Sequence, residues 1–428
     1  MIQAEIERCA GIDIGKNQLS VCLMTGPLDA EPRVEKREYG TTTAELERLR
    51  AWFQQEAVTH VVMESTGAYW KPVFNVLEEA VCVYLANPQE VKNRKGHKTD
   101  RKDGWWLAHL LRHAMIHPSF IPARGLRELR DLTRRRRKLL GDATSEKNRV
   151  EKVLQDANVK LSSALSDLFG VSGQLMLEAL LEGKAPPEQI AQLARGRAQV
   201  KVPELIRSLE GHRMRAHHRR MIRFSLEHLR FLEEQIGELD EAIAAQIEEL
   251  GLVRQWELLQ TVPAIQATSA ATVLAEIGSD MRQFPSERHL ASWAGVCPGN
   301  NESAGKKKSA RPNRGNRYLK AALVQPAWNA ARKKDCFLKD KFWRLTSKHN
   351  HKKQPAVVAV AHTLLMLIYR VLKTGEPYRE RADLALEPKR KEQIIRHHLK
   401  RLGKLGVRVR PYPEPTLKGR ANTSNKGT

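Results

Sequence analysis

The stretch GIDIGKNQLSVCLM, residues 11–24, decides how the chain folds. Two apolar runs flank Lys16-Asn17, which predicts a β-hairpin. Asp13 lies inside the first run, between Gly11 and Gly15. An acid in that setting is costly to bury without a partner. The flanking glycines leave room for another group to approach the backbone closely.

Outward from this hairpin, strand and helix signals alternate. REYG closes a third strand near residue 38. TTTAELERLRAWFQQ opens with N-cap candidates and places Leu46, Leu49 and Trp52 at helical spacing. THVVMES reads as a short buried strand ending in Glu64, AYWKPVFNVLEEA as a helix and VCVYLAN as another strand. HKTDRKDGWWLAHLLRH predicts a helix carrying Leu107, Leu110 and Leu111. Residues 1–124 are therefore expected to form a mixed α/β domain.

The next segment, 125–254, changes character. Arg134-Arg-Arg-Arg-Lys138 opens a basic helical stretch through Leu154, with breaks at Phe169-Gly170 and Pro186-Pro187. A second stretch sets Leu229, Leu232, Ile236, Leu239, Ile243 and Leu250 close to a heptad seam, interrupted at Gln246. The expectation is a long helical hairpin, either an antiparallel or intermolecular coiled coil or a plain bundle within one subunit. Residues 255–378 read as mostly α, with a polar loop from Pro298 to Asn316, and 379–428 as a basic tail containing Pro411-Tyr-Pro-Glu-Pro415.

Composition narrows the function classes. The 428 residues carry 73 Lys+Arg against 49 Asp+Glu, a formal charge of +24, which points to a polyanionic partner. No uninterrupted apolar run reaches the roughly 18 residues of a membrane span, and the first residues show no secretory signal. The five cysteines are far apart with no C-x-x-C pair, so they read as reduced thiols of a cytoplasmic protein. The histidine pairs 217–218 and 397–398 lack metal-ligand spacing and read as exposed.

In so basic a chain four acids stand out: Asp13, Glu64, Asp100 and Asp103. Singly, each has a structural reading. Asp100 can be a helix N-cap and Asp103 a first-turn acid favoured by the helix dipole; Glu64 can be a solvated strand end, and Asp13 a polar residue on the open face of an edge strand. Together, a strand centre, a strand end and a helix face can converge on one point. Mg²⁺ takes oxygen ligands and keeps waters that a phosphate can replace, so such a quartet suits phosphodiester chemistry.

The order D…E…D-x-x-D on a strand-rich domain resembles the ribonuclease-H-like fold of RuvC-type resolvases. The strings GIDIGKNQLSVC, VVMESTGAYW and NPQEVKNRKGHKTDRKDGWWLAHLL are similar to the DEDD insertion-sequence transposases, a family that includes the pilin-gene invertases and the bridge-RNA-guided recombinases. The similarity runs over about residues 10–115 and 257–375. It implies an α/β RuvC-like N-terminal domain, a helical coiled-coil middle and a mostly α C-terminal domain. It also implies that Asp13, Glu64, Asp100 and Asp103 bind the metal.

The C-terminal half carries the rest of the resemblance. Leu258 to Ala271 is similar to a helix-hairpin-helix turn, but the usual P-G-I-G is Pro263-Ala-Ile-Gln266. The missing glycines put close phosphate approach in question. The family has a nucleophilic serine before a glycine in the following loop; Ser303 matches it, with Ala304 intervening before Gly305, and Ser309 is the reserve. Lys306, Lys307, Lys308, Arg311, Arg314 and Arg317 could surround a phosphate with positive charge. The alternative for this loop is solvated Lys/Ser sequence. The resemblance further implies donor and target DNA, a structured guide RNA, and a dimer or tetramer at the bacterial nucleoid. Two rivals stand beside it: a Holliday-junction-resolving endonuclease that uses the four acids and water, and a non-enzymatic nucleic-acid-binding protein.

Overall fold

The computed structural model describes residues 4–65, 67–88, 91, 103–116, 118–299, 301–303, 306–309, 312, 315–334, 336–348, 350–379, 396, 399, 402, 403 and 406. The chain divides into two units, residues 1–250 with 271–285, and residues 251–270 with 286–428.

The first unit begins with a five-stranded sheet: β1 (Arg8–Ile14), β2 (Gln18–Thr25), β3 (Arg33–Gly40), β4 (His60–Glu64) and β5 (Cys82–Ala86), in the order β3-β2-β1-β4-β5. β1 to β3 form an antiparallel meander, whereas β4 and β5 run parallel to β1. The hairpin closes where the sequence places it, with Gly15 N–H donating to Gln18 O at 2.9 Å. This is the ribonuclease-H-like arrangement.

Alternation along the strands gives the sheet two apolar faces. Ile12, Ile14, Leu19, Val21, Val61 and Met63 pack against α1 (Thr43–Gln55) and α2 (Trp70–Leu77). In α1 the buried set is Leu46, Leu49, Trp52 and Phe53. Cys9, Cys22, Met24 and Val62 face α3 (Asp103–Arg112), which supplies Leu107, Ala108, Leu110 and Leu111.

The far end of α3 is fixed by Arg112, only 2% exposed. Its guanidinium donates to four backbone carbonyls: Ile6 (3.0 Å), Glu7 (3.1 Å), Gly26 (3.3 Å) and Pro27 (2.6 Å). A buried cation is tolerable when its donors are satisfied in this way.

Two long helices follow, α4 (Arg124–Asp156) and, after an insertion, α9 (Ala216–Glu249). Arg136 pairs with Asp240, Glu146 with His228 and Asp156 with His218. Partner numbers fall on one helix as they rise on the other, so the pair is antiparallel within one chain. The insertion, α5 (Leu161–Ala164), α6 (Val171–Glu182), α7 (Pro187–Ala191) and α8 (Val202–Leu209), builds a core with Val150 and Leu154 of α4 and Ile222 of α9. The seam on α9 buries Leu229, Leu232 and Ile243 and half-buries Ile236 and Leu239. Gln246 is passed over in favour of Ile247, which is fully buried. A straight helix drifts against a strict heptad, so the apolar stripe moves one residue along.

Beyond α10 (Val253–Gln260), α11 (Ala267–Ile277) brings the chain back to α4. Glu276, fully buried, takes a bidentate contact from Arg134 (2.8 and 2.9 Å) and a third from Arg130 (3.2 Å). Arg130 also donates to the carbonyls of Ala275 (3.2 Å) and Glu276 (2.8 Å). One member of the basic run read from sequence, Arg134, is thus spent with Arg130 on a structural clamp.

The second unit is organised around α15 (Lys353–Thr374), packed by α12 (Glu287–Trp293), α13 (Arg317–Ala330) and α14 (Phe337–Lys348). By length and composition α15 could cross a membrane. It buries Ala356, Val357, Val360, Ala361, Leu364, Leu365 and Ile368, as the core helix of a domain does. The polar segment after Pro298 is not all loop: β6 (Asn301–Ser303) and β7 (Lys306–Ser309) pair as an antiparallel hairpin. The basic tail lies almost wholly outside the described residues.

Removing the buried carboxylate of Glu276 strands two arginines against α11. Glu276→Ala should destabilise the protein by about 3–5 kcal/mol, read as a lower urea midpoint with an unchanged slope. Arg112→Met, which leaves four carbonyls without a donor, should cost about 3 kcal/mol or more by the same measurement.

Candidate functional site

Sheet register places the first two carboxylates. The last paired couple of parallel strands β1 and β4 is Ile12 with Met63, and Asp13 and Glu64 are the next residue on each. They stand level on neighbouring strands, whose backbones lie about 4.8 Å apart. Ile12 and Met63 point into the α1/α2 core, whereas Val62 points toward α3. Alternation then puts Asp13 and Glu64 on the α3 face. Both are half-buried.

The third carboxylate arrives on the helix. Asp103 is the first residue of α3, also half-buried. A Cβ on Gly11 would lie 2.2 Å from Gly104 O and 2.4 Å from Ala108 N. A Cβ on Gly104 would lie 3.0 Å from Ser20 O and 3.8 Å from Asp13 N. The first turn of α3 therefore rests directly on the β1–β2 backbone beside Asp13, and Asp103 adjoins that contact. Gly11 does what its place next to Asp13 predicts. Its partner Gly104 escaped the sequence reading. The available signal was a glycine early in a helix, where it costs about 1 kcal/mol relative to Ala unless packing requires it.

Three acids of the expected quartet thus reach one end of the sheet; Asp100 lies outside the described residues. No three His, Cys, Asp or Glu side chains among the described residues stand assembled as a metal cluster. The donors present are all carboxylate oxygens on a backbone brought close by two glycines. That chemistry fits a hard divalent ion.

In the second unit the turn before α11 contains Ala264 at φ +66°, in the left-handed region that favours glycine. The chain keeps this backbone shape without the glycine, at a cost of order 1 kcal/mol. In the β6–β7 hairpin, Ser303 is paired with Lys306, and two residues, Ala304 and Gly305, separate them. Ser309 pairs with Asn301 at the other end. The two candidate serines therefore differ in position: Ser303 belongs to the pair nearest the connection, and Ser309 to the pair farthest from it.

The segment from 296 to 314 is gathered at its base. A Cβ on Gly315 would lie 2.3 Å from Gly295 N, and Asn316 N–H donates to Trp293 O at 3.2 Å. Asn316 then caps α13, its Oδ1 accepting from Tyr318 N and Leu319 N, both at 3.0 Å. Arg317 is exposed at this helix start, donates to Tyr318 Oη at 2.8 Å and lies 4.8 Å over the Tyr318 ring. Lys306, Lys307 and Lys308 lie on β7. Arg311 and Arg314 lie outside the described residues.

The first unit carries acids at one end of its sheet, and the second, mostly helical, carries a serine on a hairpin. Comparison with known proteins identifies the class. A family model described as "Transposase", for the DEDD transposases of the IS110 type, matches residues 10–159, and one described as "Transposase IS116/IS110/IS902 family" matches residues 256–341. The two cover more than half of the chain, which belongs to this IS110-type family of DEDD transposases.

Relatives include a probable family 20 transposase of Pseudomonas aeruginosa, 27% identical over 69% of this chain and 78% of that protein. A pilin gene-inverting protein of Moraxella lacunata is 23% identical over 87% of this chain and 97% of its own. Among solved structures, Thermus thermophilus RuvC in complex with a Holliday junction substrate aligns over 26% of this chain and 99% of its own, at 16% identity and a TM-score of 0.21.

Gly11→Ala should push α3 off the sheet, costing roughly 1–3 kcal/mol from overpacking. DNA cleavage should fall by more than the loss of folded protein accounts for, as checked by circular dichroism alongside a nicking assay. Ala264→Gly relieves the left-handed alanine and should raise stability by about 0.5–1 kcal/mol in urea titration.

Proposed function

We propose that this protein is the recombinase of an insertion sequence, which cuts and rejoins DNA with its carboxylates and a serine nucleophile. The observation that carries the reading is the placement of Asp13, Glu64 and Asp103 at one end of the sheet. The functional division follows the sequence: 1–124 for the carboxylates, 125–254 for subunit association as a dimer or tetramer, 255–378 for the serine and 379–428 as a basic tail.

Asp13, Glu64, Asp103 and Asp100 would hold Mg²⁺, which when bound supplies positive charge to the scissile phosphate. The chain's own part is to orient and to exchange bonds. Ser303 Oγ attacks phosphorus and loses its proton; the new Oγ–P bond replaces one P–O bond to a sugar, whose oxygen leaves as a hydroxyl. Attack by a hydroxyl of another strand reverses the step and releases the serine. A serine hydroxyl needs help to act as a nucleophile, and Lys306–Lys308, Arg311, Arg314 and Arg317 would stabilise charge on the attacked phosphate.

The partners in this reading are donor DNA, target DNA and a structured guide RNA that selects the target by base pairing. The surplus of Lys and Arg supports the polyanionic partners, and the family supports DNA. The site of action is the cytoplasm, at the nucleoid.

The test uses purified protein, Mg²⁺, DNA carrying the element's ends and the transcribed flank. Asp13→Asn and Ser303→Ala should each lower cleavage by about a hundredfold or more. Wild type should form a protein–DNA adduct that peptide mapping places on Ser303. Cleavage retained by Ser303→Ala would instead support a Holliday-junction-resolving endonuclease with water as nucleophile. Cleavage that is unchanged without RNA would remove the guide.

A further inference from the structure

Among the exposed apolar side chains, Trp343 on α14 has an unusual setting. It is 47% exposed, a substantial area of indole left in water. The ring is nonetheless held in place. Its centroid lies 5.2 Å from that of Phe342, edge to face, and Phe342 is 1% exposed and stands 5.7 Å from Trp328 in the core. Leaving a braced aromatic ring outward preserves a flat apolar surface at little entropic cost.

The surroundings are cationic. α14 carries Lys339, Lys341, Arg344 and Lys348 against one acid, Asp340. Arg344 and Lys348 are exposed, one residue and five residues after Trp343, so both lie to one side of it, about 100° and 140° round the helix. Lys341 donates to Thr363 Oγ1 on the neighbouring α15. Burial and then the nearby Arg344 charge push its ammonium below the usual lysine range. Burial likewise lowers His362, with Lys341 adding to it and Glu287 opposing. α14 thus carries four cations against one acid.

We propose that this facet of α14 binds a single strand of DNA, one unstacked base lying on the Trp343 indole while Arg344 and Lys348 hold adjacent phosphates. Base stacking on an exposed aromatic ring with flanking cations is how proteins grip single strands without reading sequence. A closed duplex would satisfy the cations but offers no free base face to the ring. DNA is the occupant that the family supports, and RNA of the same sequence is an outcome of the test. The inference rests on the reading that the protein acts on DNA, and it specifies that opened strands are held at α14.

The experiment measures fluorescence anisotropy of labelled 20-nucleotide strands with the full-length protein in EDTA. Cleavage is then off, and failure of the carboxylate or serine chemistry has no influence on the result. Trp343→Ala should weaken single-stranded DNA binding by about five- to a hundredfold, and Trp343→Phe by no more than about threefold. Binding of the matching duplex should change by less than about twofold under either substitution, and a thermal melt confirms that both variants fold. Unchanged single-strand affinity in Trp343→Ala would overturn the proposal. So would an equal loss on single strand and duplex, or a Trp343-dependent preference for RNA of the same sequence.

Discussion

The close contact between Gly11 and the first turn of α3 is the constraint on which the carboxylate site depends. Side chains ordinarily keep a helix away from the sheet it covers. Here two glycines remove them, and the start of α3 comes down onto the β1–β2 backbone. Asp103, one residue before Gly104, is brought to the edge of the sheet where strand register has set Asp13 and Glu64. Without that approach the helix acid would stand a side chain's length farther out. The opposite end of α3 is fixed by the four carbonyls on Arg112, so the helix has little freedom to slide.

The second unit uses the same device for a different purpose. Gly315 lies against Gly295 and closes the base of the segment that carries the β6–β7 hairpin, and Asn316 turns that closure into the cap of α13. The candidate nucleophile is thus presented on a short hairpin from a pinned base. Ala264 holds a left-handed φ of +66° without the conformational freedom of a glycine.

Much of this was legible in the sequence because local signals and tertiary packing agree there. The GIDIG hairpin, the strand ending at Glu64 and the spacing of Leu46, Leu49 and Trp52 each follow from periods of two or 3.6 residues. The close approach beside Asp13 was readable from its flanking glycines. What could not be read depends on pairings between distant residues. Nothing local marks Arg112 as a buried cation, or tells that Arg130 and Arg134 serve Glu276 some 140 residues away instead of a nucleic acid. The heptad count put a break at Gln246 because it held the repeat rigid, while the helix shifted its stripe to Ile247. The hairpin inside the Pro298–Asn316 segment was missed because its strands are short and polar, with no alternation to count.

Asp13, Glu64, Asp103 and Asp100 are proposed to share one divalent ion. Electron paramagnetic resonance of Mn²⁺ bound to the DNA-free protein tests it without reference to catalysis. Saturable binding is expected, weakened by about tenfold or more in Glu64→Gln and in Asp103→Asn, each in a folded protein. Mn²⁺ binding that is absent in the wild type, or that is indifferent to both substitutions, would contradict it.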